Sequence, residues 1–201
     1  MEGRSHYPAS GGSGDCEHPM KFEELGLRGV WLIEPELFSD ERGVLRRHYC
    51  AREFAEHGLA AMTVQGNISE NRQRATLRGF HYQVQPFEEA KTLSCMTGAI
   101  YDIVVDLRVK SPTFMEWVSV EISAHGRCSL HVPAGCATAC ITTEPDTTLH
   151  YYMSEFYSPE SYRGIRYNDP MFGFRWPMEP QVISDKDRSY PDFDPESLRG
   201  N

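Results

Sequence analysis

This 201-residue chain has no surplus of positive charge, no long apolar run and no closely paired cysteines. Lys and Arg number 20 against 29 Asp and Glu, for a formal net charge of −9. A polyphosphate partner needs a basic face, so broad nucleic-acid binding is excluded, while a few local Arg and Lys suffice for a small anion. No apolar stretch approaches the roughly 20 residues that span a bilayer, and the N-terminus lacks the apolar core of a signal peptide. A soluble, cytoplasmic protein with no membrane partner is expected. Of the six cysteines, Cys16, Cys50, Cys95, Cys128, Cys136 and Cys140, none forms a CxxC pair. Cys136 and Cys140 stand four apart with no second Cys/His pair at zinc-finger spacing. Most lie in apolar, strand-like runs and read as small buried hydrophobes in a reducing compartment. Repeats and heptads are absent.

What is present is mostly β. Residues 1–19, rich in Gly, Ser and Pro, read as a disordered extension. Residues 20–201 read as one domain, whose charged, Pro-containing end from Asp185 onward forms an extended strap. Between them, 99–107 (AIYDIVVDL) mixes β-branched residues with Tyr, and 117–122 alternates Val118, Val120 and Ile122 with Trp117, Ser119 and Glu121. Further short runs fall at 29–33, 44–50, 63–68, 76–84, 92–96, 129–132, 137–142 and 148–153, punctuated by Gly, Pro, Asn or Asp. That spacing predicts an all-β sandwich or barrel. One short helix is predicted at 51–57. Alternate residues of a barrel strand face the lumen, so the chemistry belongs in its mouth.

The sharpest segment is LRGFHYQ, 77–83. Strand alternation puts Arg78, Phe80 and Tyr82 on one face and Leu77, Gly79, His81 and Gln83 on the other. His81 alone would read as a hydrogen-bonded core histidine. RGIRYNDP ends in Asp169 before Pro170, by itself a common turn. HYYMSEFY, 150–157, by itself reads as an aromatic core strand, and Lys91 as a solvated strand end.

Taken in order, LRGFHYQ, Lys91, GAIYDIVVDLR, SPTF, VPAG, YY, FYSPE, RGIRYNDP, WP and SDKDR closely resemble the dTDP-4-dehydrorhamnose 3,5-epimerase family. IEPELFSDERG and VQGN upstream belong to the same resemblance, which covers roughly residues 20–190. Many anchors in one order are specific where a single short motif is not. The resemblance implies a cupin-type jelly-roll barrel with a few short peripheral helices. It implies a homodimer that exchanges N-terminal strands from about residue 20 to 35, and a nucleotide-linked 4-keto-6-deoxyhexose as substrate, with no metal and no cofactor. A hydrogen on carbon next to a ketone is weakly acidic, so C3 or C5 inversion needs a base, an enolate stabiliser and an acid on the far face. By motif match His81 is the base, Asp169 its orienting partner and Tyr151 the acid. Arg78 and Lys91 supply positive charge to the enolate oxygen or pyrophosphate. Arg42, Gln65 and Asn67 hold the nucleotide and its diphosphate, Tyr157 packs on the base, and Gln83, on the face of His81, binds the substrate.

The residues disfavour a metal independently. A metal cupin needs His-x-His and a later His, but Tyr82 and Gln83 follow His81, and VPAGCATACIT has no histidine. The chain also departs from the family. PAGCATAC stands where the family reads PPGFAHGF, so Thr138 replaces a pocket histidine; Thr138 can donate one hydrogen bond to the sugar but carries no charge. Gly66 replaces an Asp and Tyr152 a Lys. These departures suggest an altered substrate or outcome. The alternative is a non-catalytic nucleotide-sugar-binding homologue, since fold alone does not fix function.

Overall fold

The computed structural model describes residues 19–59 and 62–198. Strands β1 (Lys21–Glu24) and β2 (Trp31–Glu34) lead into a separate hairpin, β3 (Leu37–Asp40) and β4 (Gly43–Arg46), and then helix α1 (Ala51–Glu56). The body comprises β5 (Gln65–Asn71), β6 (Thr76–Gln83), β7 (Lys91–Thr97), β8 (Ala99–Asp106), β9 (Trp117–Ser123), β10 (Ser129–Val132), β11 (Cys136–Thr142) and β12 (Thr147–Met153). The chain finishes through β13 (Tyr162–Gly164), β14 (Val182–Ile183), helix α2 (Asp185–Arg188) and a 3-10 turn, Pro195–Leu198.

Two sheets result. One runs β1-β2-β10-β7-β12-β5, the other β13-β6-β11-β8-β9, with β14 sharing the outer edge of β6. Successive body strands from β5 to β12 are divided between the two sheets, and all but the β14–β6 pairing are antiparallel. This is the jelly roll anticipated above, closing most edges by rolling one sheet over the other. Between the sheets Leu93, Leu130 and Leu149 pack against Ile100, Val104 and Ile122.

β8 explains why its sequence alternates poorly. Ile100 and Val104 face the space between sheets, while Ile103 and Val105 face outward, under Phe80, Ile165 and Phe172. A strand covered on both faces reads as a continuous apolar run. Asp102 sits on the inner parity and is 1% exposed. The cover on the outer face is the C-terminal segment, with Phe174, Trp176 and Phe193 packed on the same cluster.

β3, β13, β14 and α2 have no counterpart in the predicted elements. Each spans two to four residues and takes its hydrogen bonds from a neighbour or its own hairpin, so no periodicity marks it. The run expected at 44–50 stops at Arg46. Tyr49 instead packs its ring 4.8 Å from Phe54 at the entry to α1. The expected strap beyond Asp185 begins with α2. The expected extension over 1–19 lies, but for Pro19, outside the described residues, as does Cys16. Cys95, Cys136 and Cys140 are buried, Cys50 and Cys128 half-buried, and all five are free thiols. Among the described residues no helix is long and apolar enough to cross a membrane.

Candidate active site

A cavity of about 660 Å³ opens between the two sheets. His81, on β6, and Tyr151, on β12, line it from opposite sheets. Packed sheets stand about 10 Å apart, the scale of a hexose ring between two side chains.

β6 breaks its own alternation to build this wall. His81 pairs with Thr138 and Arg78 with Cys140, so three steps on β6 oppose two on β11. The extra residue of this β-bulge reverses parity, and Arg78 joins His81 at the cavity rather than facing away as strand alternation predicts. Gly79 makes this possible: its φ is +109°, and a Cβ there would meet the Thr138 carbonyl at 2.6 Å and Ala139 Cα at 2.8 Å.

The carboxylate on His81 is Asp187, not Asp169. His81 Nε2 donates to Asp187 Oδ1 at 2.7 Å, and the backbone N–H of Gly79 donates to Asp187 Oδ2 at 3.3 Å. Ser184 caps α2 by accepting from the Asp187 N–H at 3.0 Å, which orients the residue. Burial pushes the Asp187 carboxyl upward, but the hydrogen bond from His81 and its charge, the Gly79 N–H and the Ser184 contact together hold it below the ordinary range. An ionised carboxylate only accepts, so Nε2 carries the hydrogen and Nδ1 is the basic nitrogen. Asp169 is fully buried elsewhere: its two oxygens accept the backbone N–H of Met171 at 2.9 Å and of Phe193 at 2.7 Å. The Asp-Pro turn thus pins the C-terminal segment to the roll, and its carboxylate is spent on that segment's backbone, away from His81.

Burial raises Tyr151 above the usual phenol range, with Arg78 partly offsetting it, so the phenol stays protonated at neutral pH. Arg78 donates Nε to Asn71 Oδ1 at 2.7 Å. Lys91 Nζ lies 2.7 Å from Glu89 Oε1 and donates to the His81 carbonyl at 3.2 Å. Thr138 does not offer its hydrogen to the cavity as expected; it donates to Asp102 Oδ1 at 2.6 Å. Burial pushes Asp102 up to about 8, with the Thr138 hydrogen bond and Lys91 pulling the other way.

Gln65, Asn67 and Tyr157 line the same cavity. Gln65 Oε1 accepts the Tyr157 N–H at 3.3 Å, and its Nε2 donates to Asn67 Oδ1 at 3.2 Å. Gln83 lines the wall, but its amide group donates to the Phe87 and Phe156 carbonyls and accepts from the Ser158 N–H. Both amide hydrogens are engaged, so Gln83 ties two loops together rather than reaching for a ligand. Arg42 does not line the cavity; it sits on the turn of the β3–β4 hairpin with Nε 3.0 Å from Asp40 Oδ2. Sequence reasoning assigned no role to Asp187, Glu89, Asp102 or Tyr162. SDKD does carry a signal, a Ser cap three residues before an acidic residue that marks a helix start. Tyr162 holds its ring 5.1 Å from that of His81 at a tilt of 41°, with Lys186 Nζ 4.2 Å from its centroid on the ring face. Among the described residues no three His, Cys, Asp or Glu side chains come together as a metal site.

The family model for dTDP-4-dehydrorhamnose 3,5-epimerase matches residues 24–195. The chain is 41% identical over 177 residues to the dTDP-4-dehydrorhamnose 3,5-epimerase of Sinorhizobium fredii (strain NBRC 101917 / NGR234), covering 86% of this chain and 89% of that one. The crystal structure of dTDP-4-dehydrorhamnose 3,5-epimerase from Bacillus anthracis str. Ames, with TDP and PPi bound, superposes with a TM-score of 0.84 at 36% identity, over 87% of this chain and 100% of the other. NovW, a 4-keto-6-deoxy sugar epimerase from Streptomyces spheroides, superposes with a TM-score of 0.82 at 32% identity, covering 95% and 94% of the two chains. Similarity that runs through nearly the whole chain, and through the spatial course of both sheets, has one meaning: the chain belongs to the dTDP-4-dehydrorhamnose 3,5-epimerase family, isomerases that epimerise dTDP-linked 4-keto-6-deoxy sugars.

Proposed function

We propose that the protein inverts C3, C5 or both in a dTDP-linked 4-keto-6-deoxyhexose, with His81 as base, Asp187 as its positioning partner and Tyr151 as acid. The observation that carries this reading is a carboxylate-held imidazole and a phenol on opposite walls of one cavity. His81 Nδ1 takes the hydrogen next to the ketone. The resulting imidazolium gains a charge-assisted bond to Asp187, stronger than the neutral one it replaces. Electron density moves to the ketone oxygen, where Lys91 and Arg78 supply positive charge, the second of them also available to the diphosphate. Tyr151 then delivers a proton from the far face and the centre inverts. Gln65, Asn67 and Tyr157 hold the nucleotide end, and Thr138 with Asp102 forms a neutral floor.

A second copy of the chain completes the site in this reading. The β3–β4 hairpin leaves Leu45 72% exposed beside Arg42, and the edge strand β5 leaves Ile68 68% exposed. Burying that apolar surface against a partner favours a homodimer, and it would bring Arg42 of one subunit to the diphosphate in the other. The test is NMR of dTDP-4-keto-6-deoxyglucose with the protein in heavy water. Deuterium should enter at C3 or C5, and His81→Ala should abolish entry while dTDP still binds. Exchange by His81→Ala at the wild-type rate removes His81 as the base.

A further inference from the structure

Glu89 is the anomaly of the cavity. It sits in the loop between β6 and β7, its side chain is 2% exposed, and one oxygen holds Lys91 Nζ at 2.7 Å. The other, Oε2, is buried and has no hydrogen-bond partner among the described residues, and Glu89 lines the cavity. The backbone beside it is anchored: the Ala90 N–H donates to Ser154 Oγ at 2.8 Å, and the Ser154 N–H donates to the Ala90 carbonyl at 3.0 Å. A buried carboxylate oxygen left unpaired costs free energy, and in a native fold it calls for a donor.

We propose that Glu89 is a sugar-recognition residue whose Oε2 accepts a hydrogen bond from a hydroxyl group of the hexose. The inference rests on the epimerase reading of the cavity. A diphosphate is disfavoured beside a carboxylate by like-charge repulsion. Lys91 bridges Glu89 to the His81 carbonyl, so the free oxygen lies beside the strand that carries the base. A hydroxyl group of the ring held near His81 meets both conditions. Glu89 therefore selects a hexose that keeps a hydroxyl at that position, while Lys91, on the same carboxylate, stays fixed against the backbone of β6.

The test is Glu89→Gln, which keeps the shape and an acceptor for Lys91 but presents an amide N–H where the hydroxyl would donate. Wild type and variant are titrated calorimetrically with dTDP and with dTDP-4-keto-6-deoxyglucose, and KM and kcat are measured for deuterium exchange. A hydrogen bond to a charged group is worth about 10- to 100-fold in affinity. KM and the Kd of the nucleotide sugar should rise by about that factor, with the Kd of dTDP held within about twofold. The dTDP titration also reports that the variant is folded. A sugar Kd unchanged by the substitution, or a dTDP Kd weakened as much as the sugar Kd, overturns the proposal. A wild type that binds the nucleotide sugar more tightly than dTDP but exchanges nothing overturns the epimerase reading instead, and the Kd comparison still decides the role of Glu89.

Discussion

Replacing Asp187 by Asn exchanges one oxygen for nitrogen in a contact of 2.7 Å that is almost closed to solvent, with the Asp187 side chain 7% exposed. Two losses follow. The imidazolium formed during proton removal no longer faces a carboxylate, and breaking a buried charge pair costs about 3–5 kcal/mol. The Asn amide also donates toward Nε2, which favours the tautomer with hydrogen on Nδ1 and leaves no base toward the sugar. At about 1.4 kcal/mol per tenfold, the exchange rate should fall by about 10²- to 10⁴-fold. Single-turnover deuterium incorporation read by NMR measures this, with the Kd of dTDP as the control for folding. Asp169→Asn is the matched comparison, because Asp169 accepts two backbone N–H groups and touches no catalytic side chain. An Asn there leaves one of those donors facing an amide hydrogen, at a cost of about 1–3 kcal/mol in stability, with exchange per folded molecule retained. A Asp187→Asn enzyme that exchanges within tenfold of wild type would refute the reasoning. So would an Asp169→Asn enzyme that keeps its melting temperature but loses exchange.

Tyr151→Phe removes the acid but not the base, so deuterium should still wash in while net inversion falls by about 100-fold or more; loss of both together would make Tyr151 necessary for proton removal. Asp102, raised to about 8 by burial against the opposing pull of Thr138 and Lys91, holds its proton in the fold well above the ordinary carboxylate range. Its contribution to stability is complete below about pH 4 and declines by about 1.4 kcal/mol per pH unit until about pH 8. Asp102→Asn should therefore gain on wild type in melting temperature as pH rises through that window, whereas a difference independent of pH would mean that Asp102 is ionised in the folded chain. Leu45→Glu places a charge on the exposed hairpin and should halve the mass found by light scattering; a wild type already monomeric at micromolar concentration would exclude the proposed dimer.

Much of this protein is legible from local chemistry. β-branched runs separated by Gly, Pro and Asn mark β5 to β12 within a few residues, because most of these strands bury at least one face and their side chains record the pleat. The residues that line the cavity from these strands, His81, Tyr151, Lys91 and Thr138 among them, were visible through motif order. Their partners were not. Thr138 reads as a donor to the sugar until Asp102 is seen beneath it. Gln83 reads as a binder until the Phe87, Phe156 and Ser158 backbones are seen around it. Glu89 reads as one more charge in an acidic loop.

Arg78 and Asp187 show where the boundary falls. Strand alternation places Arg78 opposite to His81, and only the bulge at Gly79, forced by the pairing of β6 with β11, turns both into one wall. Asp169 and Asp187 are the same residue type, equally near a turn and both far from residue 81 along the chain. Sequence determined that a histidine would need a carboxylate. The folded chain decided which one, because the C-terminal segment returns along the edge of β6, brings the first turn of α2 to the imidazole and is pinned beyond it by Asp169. Hydrophobic patterning is local and survives in the order of residues; the meeting of two side chains 106 positions apart depends on how the sheets close and is written only in three dimensions.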